Sequence, residues 1–182
     1  GIYTVTVTVV DDDGGSATDT FLVYVGPSLV SGPNQVVDEG APLTVTNIGQ
    51  FVDPTPVGIR PTANDPAAPY NYTINWGDGL TIDTGQATMQ APGSPDVQFA
   101  GTFNGSHTYA DNGVYTVTLT VTSPDGRVDV ATFQVTVNNV APTLAPIPDQ
   151  TVGQTRPLDL PNVGQFADPG FDNLLNTGGE TT

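Results

Sequence analysis

The chain has no cysteine and no lysine, a single tryptophan and histidine, and only three basic residues, Arg60, Arg127 and Arg156, against nineteen aspartates and glutamates. Without cysteine no disulfide can staple the fold, and without lysine no Lys–Asn isopeptide bond can form. Stability must then come from a packed core, backbone ladders and bound cations. The missing cysteines do not fix a compartment, because exported proteins often lack them too. A formal net charge of −16 repels nucleic acid and anionic membrane, so neither is an expected partner. No apolar run approaches the roughly 18 residues of a membrane span, and no amphipathic anchor is present. No membrane insertion by this stretch is expected.

What is abundant is alternation. In Tyr115–Thr122 every odd position is apolar and every even position is Thr, the period of a strand with one buried face. Tyr115, Val117, Leu119 and Val121 would point to a core, and after a Pro-Asp-Gly turn Phe133, Val135 and Val137 would face the same core as the second arm of a hairpin. Tyr3, Val5, Val7 and Val9, then Phe21, Val23 and Val25, repeat the pattern. Gln35–Val37, Leu43–Ile48, Tyr72–Trp76, Leu80–Asp83 and Val97–Phe103 read as further short strands between Gly, Pro, Asn and Asp. Seven strands in about 110 residues, with no convincing helical period, predict an all-β, two-sheet sandwich of immunoglobulin type.

The alternation belongs to an internal repeat. Residues 1–26 align without a gap on 113–138 at an offset of 112, with 13 of 26 positions identical. Residues 33–54 align on 148–169 at an offset of 115, with 11 of 22 identical. The expected organisation is therefore tandem sandwich repeats with a period of about 112–115 residues. On this reading 1–26 are the C-terminal hairpin (strands F and G) of one unit, 31–138 a complete unit, and 142–182 the N-terminal strands of the next. A lone hairpin is marginal in water, so the phase of the repeat leads to the expectation of a longer array of which these residues are one stretch.

Trp76-Gly-Asp-Gly79, His107-Thr-Tyr109, Asp111-Asn-Gly113 and Val114–Val121 together resemble the signature of the polycystic-kidney-disease-type (PKD) domain: a WGDG-like turn, an HxY and a GxYxVxLxV strand. The resemblance covers the whole unit 31–138 and, through its strands, both partial ones. It implies an extracellular or cell-surface sandwich, usually non-catalytic, of the kind found in surface proteins, adhesins and accessory modules of secreted hydrolases. The chain departs from the pattern in a proline-rich segment at 54–69 and a long stretch from 84 to 97.

Each motif has a structural reading. Trp76 is expected in the core of the sandwich, Asp78 in a tight Gly-Asp-Gly turn, and His107 in a structural role beside Tyr109. His107 has no Ser or Cys partner in a nucleophile arrangement, and no phosphate loop is present, so no catalytic residue is assigned. The carboxylates point to calcium, which takes six to eight oxygens in flexible geometry and would relieve like-charge repulsion on so acidic a domain. The expected site lies at each junction between units, built from Asp111, Asn112, Asn138, Asn139 and Asp168, with Asp53 serving the preceding junction. A second candidate is the Asp11-Asp12-Asp13 turn, with Asp11 and Asp13 as ligands, and Glu39 is a weaker one. None of these fits an EF-hand loop. The competing account is that the same residues make turns and keep the surface soluble.

Partners are suggested by a difference between the copies. On the outward face Val10, Leu22 and Tyr24 replace Thr122, Gln134 and Thr136, which predicts a contact patch for a neighbouring domain or a second chain. Two sequons, Asn71-Tyr-Thr and Asn104-Gly-Ser, would matter only in a pathway that makes N-glycans. The functional expectation is a structural repeat of an adhesin shaft, stalk or fibre, stiffened by calcium, with neighbouring repeats as partners. The alternative is a carbohydrate- or protein-binding accessory module of a secreted protein or hydrolase, using the 54–69 or 84–97 loop.

Overall fold

The computed structural model describes residues 1–54, 69–90, 99–160 and 163–170. Most of the expected 54–69 loop, the second half of the expected 84–97 loop and the start of the expected Val97–Phe103 strand lie outside them; the first half of the 84–97 stretch is not loop but strand, over Ile82–Gln86 and Thr88–Met89. The described residues contain strands, turns and extended segments and no helix.

β1 (Ile2–Val10) and β2 (Ser16–Tyr24) form an antiparallel hairpin on their own. There follow β3 (Ser28–Ser31), β4 (Gln35–Asp38), β5 (Pro42–Asp53), β6 (Asn71–Asn75), β7 (Ile82–Gln86), β8 (Thr88–Met89), β9 (Phe99–Thr108), β10 (Gly113–Thr122) and β11 (Val128–Asn138). They make two sheets, one in the order β4-β11-β10-β6-β7 and one in the order β3-β5-β9-β8. β4 runs parallel to β11, while β3 pairs with β5, so the entering chain crosses from one sheet to the other within a few residues. Beyond the sandwich, the short strands β12 (Thr143–Leu144) and β13 (Phe166–Ala167) pair with each other.

Alternation places the core between the sheets. Val117, Leu119 and Val121 of β10 and Phe133, Val135 and Val137 of β11 are buried against Leu43, Val45, Phe51, Phe99 and Phe103 of the other sheet, with Trp76 and Ile74 fully enclosed. The threonines between them face outward, where β-branched side chains suit the pleat.

Two differences from the sequence reading have physical causes. β5 does not stop at Ile48 but continues to Asp53 through a bulge, where Asn47 takes φ 52° and its N–H donates to Asn104 Oδ1 at 2.8 Å. Between the Val45–Gly105 and Gly49–Phe103 pairs β5 carries two residues more than β9, so Asn47 stands outward and Ile48 and Gly49 are buried in succession before the odd positions face inward again. Leu43 and Val45 face the core before it and Phe51 and Asp53 after it, so a search for strict alternation ends too early. β3 was not expected at all, because four residues with one buried side chain, Leu29, carry no period to read.

The two hairpins are superimposable in their bonding. Ile2 faces Tyr24 and Tyr3 faces Val23; 112 residues on, Val114 faces Thr136 and Tyr115 faces Val135. Their loops match as well. Gly14 N donates to the Asp11 carbonyl at 3.3 Å and Asp11 N to the Gly15 carbonyl at 2.9 Å, while Gly126 N donates to Ser123 at 2.9 Å and Ser123 N to Arg127 at 2.8 Å. Gly14 and Gly126 stand at φ 86° and 83°, the left-handed residue that closes a three-residue hairpin loop with a bulge. β12–β13 keeps the register of β3–β5 at an offset of 115: Thr143 faces Ala167 and Leu144 faces Phe166, as Ser28 faces Val52 and Leu29 faces Phe51. Gln35 and Gln150 each donate to the carbonyl two residues back, Pro33 and Pro148, at 2.8 and 2.9 Å.

Candidate functional site

The polar side chains that are buried or tightly bonded gather at three places: the two ends of the sandwich and the turn beneath Trp76.

At the end where the chain enters, Asp53 closes β5 on the core-facing parity and is fully buried. A carboxylate in that position needs a cation and donors. Arg127, the last residue of the β10–β11 turn, supplies both: Nη2 lies 3.0 Å and Nη1 3.3 Å from the two Asp53 oxygens, and Tyr70 donates its hydroxyl to Asp53 at 2.8 Å. The same guanidinium donates from Nε to Asp125 at 2.8 Å and from Nη1 to the Gly26 carbonyl at 2.6 Å. Gly26 lies on the link between β2 and β3, followed by a cis bond to Pro27. Nearby, the Leu29 N–H donates to Asp129 at 2.6 Å. Burial works against ionisation of Asp125, but the hydrogen bonds from Arg127 and Ser123 and the guanidinium charge outweigh it and hold the carboxyl below its ordinary range. Arg127 is affected in the complementary way. Burial opposes its charge, and Asp125 and Asp53 overcome that and push it upward.

At the opposite end, the turn after β4, the turn before β10 and the chain leaving β11 converge. Glu39, almost fully buried, accepts from the Val140 N–H at 2.7 Å, and its own N–H donates to the Asn138 carbonyl at 3.0 Å. Gly40 N donates to the Tyr109 carbonyl at 2.9 Å. Gly40 also meets the following segment, since a Cβ there would stand 2.0 Å from the Pro169 carbonyl oxygen. Asp111 caps its own turn by accepting from Asn112 N at 2.8 Å, and its carbonyl accepts from the Tyr115 hydroxyl at 2.9 Å, the tyrosine-corner arrangement at the start of strand F. Burial first, then the charges of Asp111, Asp78 and Glu39, raise the Tyr115 phenol above its usual value.

The WGDG turn is the third place. Trp76 Nε1 donates to Asp83 at 2.8 Å, the His107 ring stacks on the indole at 5.0 Å between centroids, and His107 Nε2 lies 2.7 Å from Asp78 Oδ2. The Tyr109 hydroxyl donates to the Trp76 carbonyl at 3.0 Å, and burial drives its phenol well above the ordinary range. Trp76 and His107 are thus in the structural places expected for them. Asp78 does two things, capping the turn through Leu80 N at 3.2 Å and holding His107.

The residues expected to bind calcium fall into separate settings. Asp53 sits at the entering end with Arg127. Asp11 caps its own loop, accepting from Asp13 N at 3.2 Å and Gly15 N at 2.5 Å. Asp111, Asn112, Asn138, Asn139 and Asp168 belong to the segments that converge at the exit end, where Asn138 donates to Asp38 at 3.0 Å and Asp168 accepts from Gly170 N at 3.2 Å. Among the described residues no three acidic or histidine side chains form a group that could hold a metal ion. In the expected contact patch, Leu22 and Tyr24 occupy neighbouring rungs with Thr4 and Ile2, but Val10 pairs with Ser16 beyond the Thr6–Thr20 and Thr8–Thr18 rungs. Those threonine rungs separate Val10 from the other two, so the three do not form one patch; the exposed apolar neighbours of Leu22 and Tyr24 are on the Ile2 side.

The Asp53–Arg127 pair escaped the sequence reading because 74 residues separate its members. The signal was nevertheless present. Asp53 shares the parity of Phe51 and, across the bulge, of Leu43 and Val45, and a carboxylate at a core position in a chain with three arginines calls for one of them.

Two antiparallel-dominated sheets packed face to face, the enclosed Trp76 and the tyrosine corner define an immunoglobulin-like sandwich. The PKD domain family model matches residues 29–137, more than half of the chain, and the chain belongs to that family. PKD domains are non-catalytic modules that typically occur in extracellular or surface proteins. No curated protein matches the chain.

Proposed function

We propose that the chain is a run of consecutive structural units from the shaft or stalk of an extracellular or surface protein, each unit a sandwich held end to end with the next. The observation that carries this reading is the repetition of register: the same cross-strand partners, the same three-residue loop and the same Gln-to-Pro hydrogen bond recur at offsets of 112 and 115 on either side of the complete sandwich. Sequence similarity alone could decay into different structures. Identical pairing on both sides favours one building block used successively, as in quasi-one-dimensional arrays. Short links support the shaft reading: one residue pair, Val25-Gly26, and then Pro27 separate β2 from β3.

Calcium belongs to this reading as an added stiffener at the exit end, where the turns carrying Asp38, Asp111 and Asp168 approach one another around Gly40 and oxygen ligands are plentiful. Small-angle scattering of a chain of three complete units tests both parts. The expected result is a maximum dimension that grows linearly with unit number, shortening and broadening when calcium is chelated. A compact, globular profile would overturn the shaft; a rod indifferent to chelator would remove calcium and leave the shaft.

A further inference from the structure

We infer that the entering end of each sandwich is a docking socket for the chain that precedes it, with Arg127 as the pin that fixes the angle between successive units. The inference rests on reading residues 1–26 as the end of a preceding unit, and deepens it.

Three observations carry it. First, the guanidinium is shared between the sandwich and the link. Nη2 and Nη1 hold the buried Asp53, Nε holds Asp125 of its own turn, and Nη1 also reaches out to the Gly26 carbonyl, so one planar group joins β5, the β10–β11 turn and the incoming backbone. Only a fork of donors in fixed geometry meets acceptors in three directions at once; an ammonium on a flexible stem does not. Second, the incoming backbone is seated by packing as well. A Cβ on Gly26 would stand 2.6 Å from the Pro54 ring and 3.2 Å from Asp53 Oδ1, so the link lies directly on the Asp53-Pro54 corner. Third, the next residues enter the sandwich at once, since Leu29 N is bonded to Asp129 and β3 pairs with β5 from Ser28. No slack remains between the pinned carbonyl and the ladder.

The copies then differ in a way that assigns a property to each turn. Gly15 stands in the first hairpin where Arg127 stands in the second, at the same bonded position of the same loop. The corner that receives the pin is kept in the next unit as Asp168-Pro169. A unit whose turn ends Asp-Gly-Arg docks its predecessor rigidly, and a unit whose turn ends Asp-Gly-Gly leaves that joint loose. Stiffness along the array is thereby written one residue per unit, in the last position of the β10–β11 turn.

Backbone ¹⁵N relaxation of the whole chain tests this. In the unaltered chain the β1–β2 amides are expected to share the tumbling of the sandwich, with order parameters near about 0.85. In Arg127→Lys, which keeps a positive charge for Asp53, the sandwich stays folded while the β1–β2 values drop below about 0.6 as the hairpin moves independently. The double change Asp53→Asn with Arg127→Gln, which removes the carboxylate together with the guanidinium, should uncouple the hairpin to the same extent. Unchanged order parameters in both variants, or a hairpin already independent in the unaltered chain, would overturn the pin. Cross-strand contacts within β1–β2 report separately on the tandem reading: a hairpin formed but uncoupled defeats the pin alone, whereas a hairpin that does not pair defeats the reading beneath it.

Discussion

The hairpins β1–β2 and β10–β11 share register, loop and half their sequence, yet one has its apolar face in a core and the other in solvent. Phe133 is 5 % exposed and its counterpart Phe21 is 53 % exposed; Leu119 is fully buried and its counterpart Val7 is 48 % exposed. Local pattern and turn chemistry are enough to set which residue faces which, because period-2 alternation and the left-handed glycine fix the pairing. Burial is a separate matter, decided by whether a second sheet lies opposite. For β10–β11 that sheet is β3-β5-β9-β8.

The largest expected effect exploits two identical residues. Phe133→Ala should lower the stability of the sandwich by about 3–5 kcal/mol, through lost transfer energy and a cavity, whereas Phe21→Ala should change it by no more than about 0.5 kcal/mol. Urea melts followed by Trp76 fluorescence would measure both, and equal losses would break the distinction between the hairpins. Next comes Arg127. Its replacement by Gln takes both guanidinium hydrogen bonds from the buried Asp53 and should cost about 3 kcal/mol, most of it recovered by adding Asp53→Asn. Gly15→Ala, at the matching position, would push aside the Asp11 carboxylate 2.5 Å from the added Cβ, but since that loop lies outside the sandwich the same melt should change by no more than about 0.5 kcal/mol.

A third pair is Tyr115 and Tyr3. Removing the Tyr115 hydroxyl, which is bonded to the Asp111 carbonyl, should cost about 1 kcal/mol, while Tyr3→Phe, at a position 59 % exposed, should leave the melt unchanged. The raised Tyr115 phenol also has a pH consequence. Its contribution is fully present below the unfolded tyrosine value of about 10 and is lost as pH rises through the folded value, so Tyr115→Phe should flatten part of the alkaline fall in stability. Asp125 has the opposite sign. Its carboxyl is held below the ordinary range, so its contribution is present above about pH 4 and disappears as pH falls through the lower folded value; Asp125→Asn should shallow the acid limb of the melt. The smallest expected change is that from chelator on the isolated sandwich, because the calcium reading places the ion at the junction rather than in the core.

Much of the fold was legible. Val117, Leu119, Val121, Phe133, Val135 and Val137 lie on the core face their alternation predicts, and Trp76 is enclosed as expected. Where the sequence reading fell short, a local rule was interrupted or a distant partner was required. The Asn47 bulge interrupted the alternation of β5 and hid the length of that strand, and with it the inward position of Asp53. β3 is held by its neighbour β5 rather than by any pattern of its own. The pairings of Asp53 with Arg127 and of Glu39 with Val140 N span 74 and 101 residues, and chain separation of that order leaves no mark on spacing. The outward patch was misjudged for a simpler reason: Val10 and Leu22 share a face, but sharing a face does not make two residues neighbours when rungs intervene.

The central claim is that residues 2–24 and 114–136 are one building block at two successive places, and cross-strand Hα–Hα contacts by NMR test it most directly. The account predicts contacts for Ile2–Tyr24, Thr4–Leu22 and Thr6–Thr20 alongside Val114–Thr136, Thr116–Gln134 and Thr118–Thr132. Contacts in the second set with none, or with a shifted register, in the first would contradict it.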